Sequence, residues 1–476
     1  MALRREKREF LLLIVLATAS VQTNQIQEAT VYWNAAQKSV IVKEGVLEKD
    51  GGAYGYYNNT LTLTGWGVLE IQAGYGEIPE SDEITSFLAG YLEGLLTAEQ
   101  MFNHYANIYP QMIKDEKILD PLKDFMIEQD YWTREQVKLR RNTDTLWLHA
   151  GLILAQLDGL QAGAAHWAKS QQREPLSMFA LQFLNEVGDL LDLIPALTPR
   201  LNCSRGHGPF RMPVMGHCSA LIKVLPGFEN LLFAHSSWFS YASTMRIYKH
   251  WDFRLANTHT ATGKMSFSSY PGTYNSQYMV LDLSKVSLGR KIRDGALTVV
   301  EQIPGLVLHS DQTQALRQGY WPSYNVPFHA EIYNLSGYGA MWRKHGADFS
   351  YDLCPRAKIF RRDQARVMDL GSLKHIMRYN NYRKDPYSKG HPCKTICCRN
   401  DLRQKKPHPG GCYDTKVTDV HLARQLAAEA VNGPTTQGGL IPFSWSQFNS
   451  TVHQGLPQSY NFSFITMKPT LSKYLP

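Results

Sequence analysis

The chain has 476 residues, 43% of them hydrophobic and 11% aromatic, enough to bury a sizeable core in one large domain or a few smaller ones. Fifty Lys and Arg against 42 Asp and Glu leave a formal charge of +8, mild for this length and scattered in short runs such as Arg361-Arg362 and Lys405-Lys406. This excludes a concentrated basic patch with interleaved aromatics, and with it nucleic-acid binding; it is compatible with contact at an anionic lipid surface without requiring it.

At the start, Arg4, Arg5, Lys7 and Arg8 precede an apolar core from Phe10 to Leu16 and a small-x-small Ala17-Thr18-Ala19. This predicts a secretory signal peptide over 1–19, too short for a permanent span. No later segment holds 18 consecutive apolar residues, so a soluble mature protein without a transmembrane span is expected. From Ala29 to Ala73 the residues predict antiparallel strands at Ala29–Trp33, Val40–Val42, Leu61–Thr64 and Val68–Ile71, around a Gly/Asn-rich turn region at Gly51–Asn59. Ser81-Asp82-Glu83 then caps a helix whose apolar face is Phe87, Leu88, Tyr91, Leu92, Leu95 and Leu96. Further helices are expected near 114–136, 143–164 and 175–193, with stripes that read as core.

Residues 201–217 break the pattern with a polar stretch bearing Gly and Pro, the composition of an exposed, cleavable linker between a chain 20–200 and a chain 218–476. Strands resume at Ala220–Leu225, Leu231–Ala234, Gln277–Leu283 and Ala296–Val300. From Arg356 to Cys412 the chain reads as loop-rich, with a helix near Asp419–Ala430. Strands, helices, a cut-prone loop and more strands fit an α+β architecture with helices outside largely antiparallel sheets.

Five N-x-[ST] sequons, at Asn58, Asn202, Asn334, Asn449 and Asn461, agree with secretion and are candidate glycosylation sites. Of seven cysteines, Cys393, Cys397, Cys398 and Cys412 crowd together and are expected to form two disulfides, in any of three pairings. Adjacent Cys397 and Cys398 suit a single tetrahedral zinc poorly, and no cofactor is expected. The odd count leaves a free thiol, and Cys218 is the candidate.

Cys218 stands mid-chain, directly before an apolar run. Free cysteine is among the most buried residue types, and a packed thiol is the plain reading. Cleavage before it, however, would make it an N-terminal residue whose own α-amine accepts the thiol proton, base and nucleophile sharing one covalent frame. Attack of its sulfur on the His217 carbonyl would perform that cut through a thioester, beside a permissive Gly216.

Gly216-His217-Cys218-Ser219-Ala220-Leu221-Ile222-Lys223, continuing to Asn230, closely resembles the core motif of the phospholipase B-like family. So do Ala234-His235-Ser236-Ser237-Trp238, Gly319 to Pro327, Pro355 to Gln364, Met377 to Tyr382 and Gly411-Cys412-Tyr413-Asp414-Thr415-Lys416. The resemblance covers most of the chain. It implies an αββα sandwich of the N-terminal-nucleophile hydrolase type, lysosomal residence reached by the secretory pathway, and maturation before Cys218. It implies Cys218 as nucleophile, His235 and Trp238 lining the site, Trp238 on the substrate side, Asn325 donating to the oxyanion and Arg356 orienting the pocket or binding an anionic group. Read without it, His235 and Trp238 are packing residues, Asn325 a turn residue and Arg356 a carboxylate partner. After Gly272 the chain runs straight into Thr273 to Met279, where members of the resembled family carry several tens of residues of sheet and helix, including a threonine that looks like part of their active site. The expected function is hydrolysis of acyl esters of phospholipids; alternatives are an amidase on amide-linked lipids or peptides, and a catalytically inactive lumenal binding glycoprotein.

Overall fold

Two six-stranded sheets carry the architecture, and the chain crosses between them. The computed structural model describes residues 26–76, 80–198, 218–273, 279–303 and 305–471. The signal peptide 1–19 and the linker 201–217, with Asn202, lie outside the described residues.

The first sheet begins with β1 (Ile26–Asn34), β2 (Ser39–Glu44), β3 (Ala53–Thr60) and β4 (Trp66–Ala73). The second contains β5 (Ser219–Val224) and β6 (Leu231–Ser240), after which the chain returns to the first for β7 (Arg246–Phe253) and β8 (Lys264–Ser269). The first sheet is ordered β2-β1-β3-β4-β7-β8. All its pairs are antiparallel except β4 with β7, which joins the segments on either side of 201–217 in parallel register from Trp66↔Arg246 to Ala73↔Phe253. In the second sheet, Tyr320–Ser323 pairs with β5, β5 with β6, and β6 with Gly410–Asp419; Ala428–Asn432 and Ile465–Met467 complete it. A smaller sheet joins Met279–Leu281, Leu297–Ile303 and Leu306–Asp311.

Helix Asp82–Met112 starts at Ser81, whose side chain accepts the Ile84 N–H, and it lies along β1, β3 and β4. It packs against helix Thr145–Ser170 with unusual closeness. A Cβ on Gly90 or Gly94 would strike the carbonyls of Gln156 or Leu160, and one on Gly159 or Gly163 those of Phe87 or Tyr91. Helix Leu370–Met377 packs on β6 and Gly410–Asp419. Between the sheets, Trp66 and Tyr248 of the first meet Ala428, Ala430 and Met467 of the second in one core. The class is α+β.

Several expectations need correction. Gly51–Asn59 is mostly strand β3, not turn: its Tyr54, Tyr56 and Tyr57 are buried between β1 and β4. Leu61–Thr64 is a single helical turn closed by Gly65 at φ +84, not a strand. The region after Arg356 holds helices Pro355–Asp363 and Leu370–Met377. Asp419–Ala430 is a helical turn, Val420–Ala423, followed by a strand, because Leu426 takes φ +54 and the chain turns back onto Gly410–Asp419. The four clustered cysteines form Cys393–Cys398 and Cys397–Cys412. Of the described sequons, Asn334, Asn449 and Asn461 are exposed, while Asn58 is half-buried in β3. No helix among the described residues is long and apolar enough to cross a membrane.

Candidate functional site around Cys218

Cys218 immediately precedes β5, half-buried, and is a free thiol. The register fixes its neighbours. Ser219 faces Ser236, and Ser236 faces Thr415; Ala220 faces His235, and His235 faces Lys416. One step further, Cys218 comes beside Ser237 and its partner Asp414. Side chains alternate along a strand, so the rows split between two sides of the sheet. Ser219 and Ser236 turn toward the helix side, where their hydroxyls donate to the carbonyls of Ile396 at 3.2 Å and Met377 at 3.3 Å. Cys218, His235, Ser237, Asp414 and Lys416 share the other side, which meets the first sheet through Arg246 of β7.

That side is densely charged. Asp414 is fully buried; its carboxylate accepts the Ser237 main-chain N–H at 2.9 Å and the Lys416 ammonium at 2.6 Å, and pairs with Arg246 at 2.9 Å. Arg246 stacks 3.9 Å over the ring of Tyr270, which also bonds the Tyr413 hydroxyl and stacks on His104. Burial pushes the Cys218 thiol up and prevails; the Trp238 main chain, Lys416 and Arg356 pull it down in part, and Asp414 adds to the rise. Burial, then Lys416 and Arg246 against Asp414, bring His235 down to about 3, so it is neutral above that pH. Burial disfavours an Asp414 carboxylate, yet Lys416 and Arg246 overcome it and hold the group well below the usual range.

Arg356 is 8% exposed and works from the helix side. It donates to the Cys218 carbonyl at 2.8 Å, to Ser219 Oγ at 3.2 Å and to the Tyr324 carbonyl at 2.5 Å. It therefore pairs with carbonyls and a hydroxyl. Its guanidinium lies 4.6 Å over the Trp238 ring, which packs among Cys397, Cys398 and Cys412. The Trp238 ring thus sits on the helix side, and its main chain reaches the thiol. Asn325 follows Tyr324 in an exposed turn at φ +56, and its carbonyl accepts the Tyr338 hydroxyl at 2.9 Å. Arg356 so brings Cys218 and the segment of Asn325 together through the main chain.

Sequence reasoning assigned no role to Asp414, Lys416 or Arg246. A signal was present: Asp414 and Lys416 are two apart in a strand and must share a face. Arg246 belongs to the other sheet and carried none. Among the described residues no group of three or more His, Cys, Asp or Glu is arranged to hold a metal ion. A separate open cleft of about 450 Å³, lined by Arg362, Asp363, Arg366, His375 and Lys384 among others, does not include Cys218.

Two stretches of this chain, 53–273 and 271–467, match the model of the family described as Phospholipase B. The chain is 51% identical to human Phospholipase B-like 1 over 510 positions, covering 93% of this chain and 92% of that protein. It is 50% identical to Phospholipase B of Crotalus adamanteus over 536 positions, covering 97% and 96%. With Phospholipase B-like protein D of Dictyostelium discoideum the identity is 30% over 517 positions, covering 90% and 89%. Each alignment is longer than the 476 residues available, so each relative carries positions that this chain lacks, and the family match restarts at 271–273. The motifs around Cys218, the extent of the match and the identities agree, and this chain belongs to the phospholipase B family.

Proposed function

We propose that this protein is a self-processing hydrolase of the phospholipase B-like type, with Cys218 as its N-terminal nucleophile after cleavage between His217 and Cys218. The observation that carries the reading is the position of Cys218: it immediately precedes β5, on the side of the sheet that carries the buried Asp414 and its partner Lys416. Helices on the outer faces of two touching sheets support assignment to the αββα N-terminal-nucleophile fold. The relatives' names support a phospholipid-acting protein; the basic start, apolar core and small-x-small site of the first 19 residues are the ground for the secretory pathway, with the lysosome as the proposed destination.

In this reading the thiol adds to the acyl carbonyl and passes its proton to the free α-amine, whose ordinary pKa of about 7.7–8.0 lies below the thiol's 8.5. The amine returns the proton to the leaving oxygen, a thioester forms, and water attacks it to release the acid and restore the thiol. Arg356 holds the Cys218 carbonyl, so the nucleophile keeps its orientation after the chain is cut. Asn325 is the proposed oxyanion donor; the Trp238 ring, packed on the helix side beneath Arg356, lies away from the thiol's face, and its proposed contribution is the main chain that reaches the thiol. A thioester serves esters and amides alike; the family relation favours the acyl ester of a phospholipid.

The test is N-terminal sequencing of fragments from secreted parent, Cys218→Ser and Cys218→Ala chains. The expected second fragment of the parent begins at Cys218, and Cys218→Ala stays whole. Unchanged cutting of Cys218→Ala would refute self-processing by this thiol. The alignments' excess length favours a second reading, an inactive lumenal binding glycoprotein whose pocket lacks the segment after Gly272. A folded parent that stays a single chain would select it.

A further inference from the structure

The proposed chemistry leaves three buried ionisable residues beside Cys218 without a role. The side chains of Asp414, Arg246 and Lys416 are 0%, 3% and 13% exposed. Their contacts are built around one carboxylate, which receives Lys416 and the Ser237 N–H on one oxygen and Arg246 on the other. Lys416 also donates to Ser237 Oγ at 2.9 Å. Two cations against one anion leave a surplus positive charge, which is costly in an interior; burial, then Arg246, accordingly lower Lys416, and Asp414 opposes them. The other groups facing this point do not cancel it. Arg356 adds a further cation at the Cys218 carbonyl, and half-buried Arg378, after helix Leu370–Met377, adds another that Asp414 attracts. His235 is neutral, and burial pushes Tyr270 and Tyr413 up, so both keep their protons. Lys249 of β7 is already matched by Glu93 at 2.7 Å. Among the described residues, the titratable group left on this face that can supply the missing negative charge is the Cys218 thiol.

We propose that Lys416 and Arg246, held together by Asp414, are positioning residues whose surplus charge stabilises the anionic sulfur of Cys218 once the thiol gives up its proton. The geometry makes Asp414 the brace. It ties the two cations to the strand pair that carries Ser237, next to the thiol, and fixes their place before any substrate arrives. The catalytic consequence rests on the function proposed above; the effect on the thiol does not.

The experiment is the pH dependence of iodoacetamide alkylation of the full chain, read by mass spectrometry on the peptide that carries Cys218, whether internal or N-terminal. Removing an opposite charge near a thiol raises its pKa by about one unit or more. Lys416→Met is therefore expected to move the alkylation midpoint upward by about one unit, roughly a tenfold slower reaction on the acid side. Lys416→Arg should keep the parent midpoint. A purely structural role would lower thermal stability and leave the midpoint where it was. An unchanged midpoint in folded Lys416→Met overturns the proposal; should that variant fail to fold, an unchanged midpoint in Arg246→Gln does so. Cleavage is scored separately: a parent that is never cut, yet shows the shift, removes the function and keeps this inference.

Discussion

Arg356 illustrates how a single residue departs from its bland reading. A guanidinium after Cys354-Pro355 invites a carboxylate, yet here its partners are the Cys218 and Tyr324 carbonyls and Ser219 Oγ. Arg356→Met would leave two buried carbonyls unpaired, at a cost of about 2–4 kcal/mol, and would loosen the residue proposed as nucleophile. Denaturant titration and the fraction of cut chain should both fall. Arg356→Lys keeps the charge but not the fork, and is expected to recover only part of either. A Met variant as stable and as fully cut as the parent would contradict the clamp. Cys218, His235 and Arg356 were legible as motif residues; the charged cluster beside Cys218 was not, because Asp414 and Lys416 stood in a motif without an assigned role and Arg246 arrives from another sheet.

At the scale of elements, the helix pair depends on four glycines rather than on its leucines alone. Gly90 and Gly94 oppose Gly159 and Gly163, each at a spacing of four, and their missing Cβ atoms let the two backbones touch. Gly159→Ala is expected to push the helices apart and destabilise by about 1–3 kcal/mol. Gly188→Ala, where a Cβ meets nothing within 4 Å, should stay within about 0.5 kcal/mol. Equal midpoints for the two variants in denaturant would count against this packing. The helices themselves were visible from their apolar period, and Ser81 marked the first one's start. Strand β3 was misread because Gly and Asn usually punctuate turns. Here Gly55 is needed inside the sheet, where a Cβ would collide with the Glu70 carbonyl.

At the scale of the molecule, the segments before and after 201–217 share one sheet through the β4–β7 pair. The fragments of a cut chain should therefore co-elute on native size exclusion and separate on a denaturing, reducing gel. Separate native elution would contradict the shared sheet. Acid stability is a second whole-molecule property. Burial, helped by Arg246 and Lys249, lowers His104 to about 3; burial lowers His250 to about 4, and His235 is held at about 3. Unfolded histidines, with a pKa of about 6.5, take up protons first, so all three remove stability as the pH falls below that value. Glu186, raised to about 7 by burial and then by Asp189 and Asp130, works the other way. It binds its proton in the folded state first and adds stability as the pH falls from 7 toward 4.5. Burial also lowers His391 and His408 and raises Glu70 and Glu80, so five histidines against three carboxyls predict a lower thermal midpoint at pH 5 than at pH 6.5 by calorimetry, with a smaller drop in His104→Gln. A flat or rising midpoint would show that Glu186 and other carboxyls outweigh the histidines.

The sequence by itself determined the α+β class, most helices and strands, the disulfide-forming cluster and, through the motifs around Cys218, the family. These are written in local periodicity and in contiguous runs, which need no knowledge of where the chain returns. The tertiary structure alone decided the parallel β4–β7 join, the choice among three disulfide pairings, the side of the sheet that each motif residue faces, and the meeting of Arg246 with Asp414 and Lys416. Those depend on contacts between distant segments, where strand register turns a difference of one residue into opposite faces of a sheet.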